Sequence, residues 1–140
     1  MGDRSVIEIV PDYRNELGDQ PDSLFIYSHW HGAELYELFD ELLRTCPSDV
    51  LGDDIYFPRV ILDAISKEYK EYPYKGVGIL VGTNGGPDHD WPTLRWCRLW
   101  NNGRFRGRRL EIEYREETYQ VDEWLENKPY KKERNSNGNN

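Results

Sequence analysis

Apolar and polar positions follow two different periods along the chain, and the change of period separates predicted strands from predicted helices. Residues 5–10 and 24–30 are short runs of β-branched, apolar and aromatic residues, which are typical of strands. The second run is apolar on both faces and is predicted to lie inside a sheet. The period then becomes helical, with apolar residues three or four positions apart. The apolar positions of this first helix are Leu35, Leu38, Phe39, Leu42 and Leu43.

The same helical spacing returns after a polar loop and predicts a second amphipathic helix. Asp54 is predicted to cap it, and Pro58 places its first turn near residue 55, because proline is tolerated only at a helix start. The helix is predicted to end before Pro73. Its apolar positions are Phe57, Val60, Ile61, Ala64 and Ile65.

The rest of the chain reads as strands followed by a short helix. Residues 76–83, 93–100 and 109–116 are predicted strands, and the last of them alternates apolar and charged residues. The sequence Asn101-Asn102-Gly103 predicts a hairpin turn. Residues 121–127 are predicted to form a short helix or a helical turn.

These elements predict an α+β fold in the order ββααβββ plus a short C-terminal helix. The sheet is expected to have about five mostly antiparallel strands, with the two amphipathic helices packed on one face. Residues 1–126 are expected to form one domain, since 140 residues suit a single core. Residues 127–140 are basic, rich in asparagine and without apolar periodicity, and are predicted to be a disordered tail.

Composition and charge narrow the classes of partner. The formal net charge of −8 disfavours binding to double-stranded nucleic acid, because the phosphates would be repelled. No apolar run approaches the roughly 18 residues of a membrane-spanning helix. The two cysteines, Cys46 and Cys97, match no disulfide framework, which favours a reducing cytoplasm. The sequence predicts no cofactor and is compatible with a homo-oligomer.

The first candidate site is the corner where the second strand passes into the first helix, at His29, Trp30, His31 and Gly32. Free N–H groups at a helix start attract anions, and glycine lets a ligand approach the backbone. His29 and His31 would share a face if the strand continued to residue 31. The alternative is that Trp30 is a core residue and the histidines only cap the helix.

A metal site is a second candidate, because the chain has three histidines, His29, His31 and His89, and zinc needs three or four ligands. No second spaced pair of ligands accompanies the His-x-His pair. The preferred interpretation is therefore three unrelated polar side chains and no metal.

The third candidate is an arginine-rich hairpin that also carries Trp96, Trp100 and Phe105. Arginine binds phosphate with two parallel hydrogen bonds, and aromatic faces stack on bases. The hairpin could hold a nucleotide, single-stranded nucleic acid or an acidic protein. The alternative is that these arginines pair with glutamates of neighbouring strands. The arginines are Arg95, Arg98, Arg104, Arg106, Arg108 and Arg109.

The glycine-rich loop 82–87 is a fourth candidate, and its Asn84 is included among the possible ligand-binding residues. The loop lacks the Gly-Lys-Ser/Thr ending of a phosphate-binding loop, and no helix follows it. A long hairpin turn is the preferred interpretation.

Five short blocks resemble a family of small proteins of tailed phages and actinobacteria: YSHWHGAEL, FPRVILDAIS, GVGILVGT, WPTL and YQVDEWL. The family pattern has an early strand that ends in S/T-H-W-G-G before a helix, and a terminal F-x-E-F-L. The resemblance covers about residues 23–126 and implies a phage accessory protein in the host cytoplasm, with no established activity. The chain departs from the pattern at His31, where the family has glycine, and in its arginine-rich hairpin. The matching positions are Ser28, His29, Trp30 and Gly32, then 59–65, 76–80, 92–94 and 121–125.

Three hypotheses about function remain open from the sequence. In the first, a non-catalytic module binds a small anionic, nucleotide-like ligand with His29, Trp30, His31, Gly32, loop 84–90 and the hairpin arginines. In the second, the protein is an interaction module, an inhibitor or adaptor of a host protein. In the third, the three histidines support a metal-dependent hydrolase.

Overall fold

Six strands form one mixed sheet in this computed structural model, which describes residues 4–12, 22–29, 31–71, 76–82 and 90–131. The order across the sheet is β3-β2-β1-β4-β5-β6. All neighbours are antiparallel except β1 and β4, which run parallel. The predicted α+β class is confirmed. The strands are β1 (Ser5–Ile9), β2 (Ser23–Ser28), β3 (Val77–Gly82), β4 (Thr93–Asn101), β5 (Arg104–Tyr114) and β6 (Glu117–Gln120).

Four helices accompany the sheet: α1 (Ala33–Thr45), α2 (Ser48–Leu51), α3 (Tyr56–Glu68) and α4 (Val121–Asn127). The apolar stripes predicted for the two long helices are the stripes that they bury. Asp54 does not cap α3, contrary to the prediction. Asp53 instead accepts hydrogen bonds from the N–H groups of Ile55 and Tyr56, at 2.8 and 2.9 Å.

One face of the sheet packs against the helices. Strand pairing places Ile7 opposite Ile26, and Leu94 opposite Ile112, and these four side chains are all fully buried. They belong to one cluster with helix residues such as Phe39. Because side chains alternate along a strand, the residues between them point to the opposite face, which carries the candidate site described below.

Two local elements differ from the prediction, and both differences come from pairing between strands. The fifth strand begins at Arg104 rather than 109, because the turn residues Asn102 and Gly103 have φ values of +52° and +76°, as a tight two-residue hairpin requires. The short strand β6 was not predicted. It exists because it pairs with β5 along residues 111–114.

The predicted tail begins later than position 127. Asn127 still belongs to α4, and Tyr130 is buried, with its hydroxyl donating to Asp40 of α1 at 2.6 Å. Residues 128–131 are therefore part of the folded unit, so the prediction of disorder from 127 is wrong for them. The tail beyond 131 lies outside the described residues.

Within the described part of the chain, no helix combines the length and apolar character needed to cross a lipid bilayer.

Candidate functional site

A cleft of about 550 Å³ lies against the sheet face opposite the helices, at the end of β2. Its walls include four rings, from Phe25, Tyr27, His29 and Trp91. Phe25 and Tyr27 reach it because they alternate with the core-facing residues of β2. The cleft is mostly apolar, as ligand pockets usually are, with a few polar groups at its edge.

The rings of the cleft contact one another edge to face. Tyr27 and His29 have ring centroids 5.1 Å apart, and Phe25 and Trp91 have centroids 6.2 Å apart. The Trp91 indole N–H also donates to the Glu8 carboxylate at 3.0 Å. Because Glu8 is fully buried in β1, it gives Trp91 a fixed anchor.

Arg4 provides a positive charge at the mouth of the cleft. Its side chain is exposed and lines the cleft together with His29. Among the described residues it has no ion-pair partner, so its guanidinium can accept an anion without first breaking a salt bridge. Arginine suits carboxylates and phosphates because its planar group offers two parallel donors.

His29 and His31 do not share a face, because β2 ends at Ser28. The His29 N–H bonds to the Gly76 carbonyl at 2.9 Å, while its ring lines the cleft. The His31 ring instead stacks on Tyr69 at 3.6 Å, with its Nδ1 2.5 Å from the Ser28 hydroxyl. The chain turns at Gly32, which is buried and lies between His31 and the start of α1. Its φ of +52° favours glycine.

Three of the predicted site residues, Trp30, Asn84 and His89, lie outside the described residues. Among the residues that are described, no group of three histidine, cysteine, aspartate or glutamate side chains could hold a metal ion. The His29–His31 pair alone does not offer a zinc geometry, since the two rings have separate environments.

Four of the six hairpin arginines form ion pairs within the sheet or beside it. Arg95 pairs with Glu113 across the strands at 2.8 Å, and Arg109 pairs with Glu111 at 3.2 Å. For Arg95 the pairing with a neighbouring strand considered from the sequence is the arrangement found, whereas Arg109 and Glu111 both belong to β5. Arg104 and Arg106 are exposed and form no ion pair within the described ranges.

Asp12 joins the other two arginines, with one carboxylate oxygen 2.8 Å from Arg98 and 2.6 Å from Arg108. Burial by itself raises the pKa of the Asp12 carboxyl. The hydrogen bonds from Arg108 and Arg98 outweigh burial and hold that pKa below its ordinary value of 3.8. Asp54 approaches the same guanidinium of Arg108 at 3.8 Å. The network fixes the hairpin to the loop before α3.

We expect Asp12→Asn to lower the free energy of unfolding at neutral pH by about 1 kcal/mol, because the two charge-assisted hydrogen bonds weaken while Arg98 stays partly solvated. The stabilisation from a lowered carboxyl pKa is complete above 3.8 and is lost as pH falls through the folded pKa. The gap between wild type and variant should therefore close in acid. Urea unfolding at neutral pH and at about pH 3 measures it.

The matched control is Asp63→Asn, because Asp63 pairs only across an exposed helix surface with Lys67, whose side chain is 77% exposed. That change should leave the free energy of unfolding almost unchanged. A gap between wild type and Asp12→Asn that stays constant down to acid pH would contradict the role given to the Asp12 carboxylate.

The cleft and the arginine-rich hairpin lie at opposite ends of the sheet. Ser28 pairs with Ser5, and Glu8 pairs with Thr93, so the strand rise places Arg98 roughly 30 Å and Arg104 roughly 40 Å from His29 along the strands. One small ligand cannot contact both regions. The combined site expected from the sequence therefore separates into two.

Sequence reasoning missed the residues that build most of the cleft: Arg4, Phe25, Tyr27 and Trp91. A signal was present in β2, because its aromatic residues alternate with Leu24 and Ile26 and so belong to one face. No comparable signal existed for Arg4 and Trp91, which come from distant parts of the chain.

The geometry of the cleft is the main basis for a function. Comparisons of the chain with protein-family models, with curated proteins and with solved structures find no match. The resemblance to small phage and actinobacterial proteins therefore remains a prediction.

Proposed function

We propose that the protein binds a small anionic ligand with a planar ring, such as a nucleotide, in the cleft between Arg4 and His29, without transforming it. The observation that carries the proposal is the combination of four rings with an arginine that has no ion-pair partner among the described residues. An accessory role inside a phage-infected host cell, which the resemblance implies, belongs to the same proposal.

The chemistry of the cleft suits both parts of such a ligand, the planar ring and the anionic group. Phe25, Tyr27 and Trp91 offer apolar ring surface on which a flat group can pack, and stacking on an aromatic ring is worth about 1–3 kcal/mol per base. The Arg4 guanidinium matches a phosphate or carboxylate, and the His29 ring lines the same cleft.

Binding is proposed rather than acyl-transfer catalysis because Ser28, the serine beside the cleft, is buried. The Ser28 hydroxyl is close to the His31 imidazole, which is the pairing that a nucleophilic serine needs. However, the Ser28 side chain is fully buried, so a substrate in the cleft cannot reach it without rearrangement.

The test is calorimetric titration with a panel of nucleotides, cyclic nucleotides and inorganic phosphate, after a first screen by thermal unfolding. A ligand at 100 times its Kd should add about 2.7 kcal/mol of stability. For the ligand that binds, Arg4→Gln should weaken affinity about tenfold, which is about 1.4 kcal/mol, because the charge-assisted contact is lost. Phe25→Leu should weaken it further, through lost ring packing.

The matched control is Arg106→Gln, which removes another exposed arginine at the far end of the sheet and should leave the affinity unchanged. A panel without any ligand that stabilises the protein would contradict the proposal. Equal effects of Arg4→Gln and Arg106→Gln would show general charge attraction rather than a site in the cleft.

A second candidate function is contact with an acidic protein surface through the tip of the β4–β5 hairpin. Trp100 and Phe105 face each other there at 5.6 Å, with 60% and 45% of their surfaces exposed. Arg104 and Arg106 precede and follow Phe105 in β5, and both are exposed. Exposed aromatic residues with arginine are the residue types enriched at protein interfaces.

A further inference from the structure

The outer edge of β3 is an unusual surface for a sheet. It lies at one end of the strand order, and no described strand pairs with its outer side. Three consecutive apolar residues on it are exposed: Ile79 by 54%, Leu80 by 60% and Val81 by 64%. The whole segment 76–83 contains no charged residue and no proline. Natural edge strands normally carry charged residues or proline, which prevent pairing with another chain.

The opposite edge of the same sheet shows the usual protection. There β6 is a strand of only four residues, Glu117–Gln120, that begins with a charged residue and passes directly into α4. Short length, charge and a following helix are common ways to block edge pairing. The two edges of the sheet therefore differ in protection: β6 is short and leads into a helix, whereas β3 presents neutral, apolar residues.

The hydrogen-bond pattern shows which groups of β3 point outward. The His29 N–H bonds to the Gly76 carbonyl, so this pair is a hydrogen-bonded pair of the antiparallel ladder. Such pairs alternate with non-bonded ones, so the N–H and C=O groups of Val77, Ile79 and Val81 point away from β2. Strand β3 therefore presents three evenly spaced donor and acceptor sets on its free side.

We propose that two copies of the chain pair through β3 in an antiparallel arrangement around a two-fold axis, with Ile79 opposite Ile79 of the second copy. This register is the one in which all three outward-facing residues are used, since Val77 then lies opposite Val81 of the second copy. It forms about six main-chain hydrogen bonds, two for each such pair. The two sheets join into one continuous sheet across the axis.

The side chains are complementary in this register. On the helix side, β-branched residues face one another in three cross-strand pairs, which are favourable neighbours in sheets. On the cleft side, Leu80 lies opposite Gly78 of the second copy, so a large side chain meets a position without one. The neutral segment also brings no like charges together, although each chain carries a net charge of −8.

The pairing would also complete one wall of each cleft. Leu80 lines the cleft, and the Tyr27 ring covers Gly78, where an added Cβ would lie 2.5 Å from the ring. Leu80 of the second copy, opposite Gly78, would therefore pack beside Tyr27. The pairing does not depend on the ligand proposed above, and its test requires none.

The test is sedimentation of the full-length protein over a range of concentrations. The wild-type protein should sediment as a dimer, and Ile79→Lys should sediment as a monomer at the same concentrations, because a lysine on each copy would face the other across the axis. Ile55→Lys is the control, since Ile55 is 73% exposed just before α3 and follows Asp54, which lies 3.8 Å from Arg108 of β5, four strands away from β3 in the sheet order. It should leave the dimer intact.

Amide exchange measured by NMR tests the register without a substitution. The amides of Val77, Ile79 and Val81 should exchange slowly in concentrated protein and quickly after dilution, whereas that of Leu80, already bonded to β2, should not respond. A wild-type protein that stays monomeric at high concentration would overturn the proposal. Dissociation by Ile55→Lys, or concentration-dependent protection of Leu80 instead of Ile79, would overturn it as well.

Discussion

Trp124→Ala is expected to lower the free energy of unfolding by about 3–5 kcal/mol, the usual cost of removing a large buried aromatic side chain. Trp124 is fully buried, and its indole N–H donates to Asp40 at 2.8 Å. The substitution removes the centre of a ring cluster and leaves a cavity between α1, α4 and the sheet. The surrounding rings, with centroids 5.7 to 6.3 Å away, are Phe39, Tyr114, Tyr119 and Tyr130.

Chemical unfolding followed by far-ultraviolet circular dichroism measures this loss. The matched control is Trp100→Ala, which deletes the same side chain at the hairpin tip, where 60% of it is exposed. That variant should differ from wild type by less than about 1 kcal/mol. Similar losses for the two tryptophans would contradict the assignment of Trp124 as the centre of the core.

The two long helices could be predicted from the sequence because their signal is local. Leu35, Phe39 and Leu43 recur at helical spacing, and the same residues are buried in α1. The buried face of such a helix can be predicted without knowing what it packs against, because its apolar side would be buried in any core. The α+β class followed from the order of such local elements.

The arrangement of the strands could not be predicted in the same way, because pairing joins residues far apart in the sequence. β1 pairs in parallel with β4, which begins more than 80 residues later, and nothing in either strand encodes that partner. β6 is stable only because β5 extends beside it. Short strands without strong alternation take their structure from their neighbours.

The cleft proposed as the site overlaps the corner chosen from the sequence at one candidate residue. His29 does line a cleft, but the residue chosen beside it, His31, turns away because β2 stops at Ser28. The sequence left two interpretations of the arginine cluster open. Alternation alone cannot decide between a salt bridge such as Arg95–Glu113 and a guanidinium such as that of Arg106, which forms no ion pair with the described residues. The decision depends on strand register and hairpin length.

The start of the C-terminal segment was predicted to be disordered from its polar composition, but buried Asp40 holds it against the domain. Residues 127–131 read as polar, yet Tyr130 packs into the core and shares Asp40 with Trp124. Burial, and then the hydrogen bond to Asp40, raise the pKa of the Tyr130 hydroxyl well above its ordinary value, so it stays protonated and donates at neutral pH.

Asp40→Ala is expected to lower the free energy of unfolding by about 2–6 kcal/mol, because it leaves two buried donors without their acceptor and each costs about 1–3 kcal/mol. Asp40 is 1% exposed and accepts from Trp124 and Tyr130 at 2.8 and 2.6 Å. Asp40→Asn should cost less, since the amide oxygen can still accept one of the two bonds. Chemical unfolding of both variants measures the difference.

A double-mutant cycle with Tyr130→Phe separates the hydrogen bond from the packing of the ring. In the wild-type background this change removes a donor to a carboxylate and should cost about 1.5–3 kcal/mol. In the Asp40→Ala background it removes a donor that has already lost its acceptor, so it should cost less or even stabilise the protein. Simple additivity of the two changes would mean that the Tyr130 hydroxyl contributes independently of Asp40. A coupling of the expected sign would instead establish the hydrogen bond to Asp40 as a contact that holds the C-terminal segment on the domain.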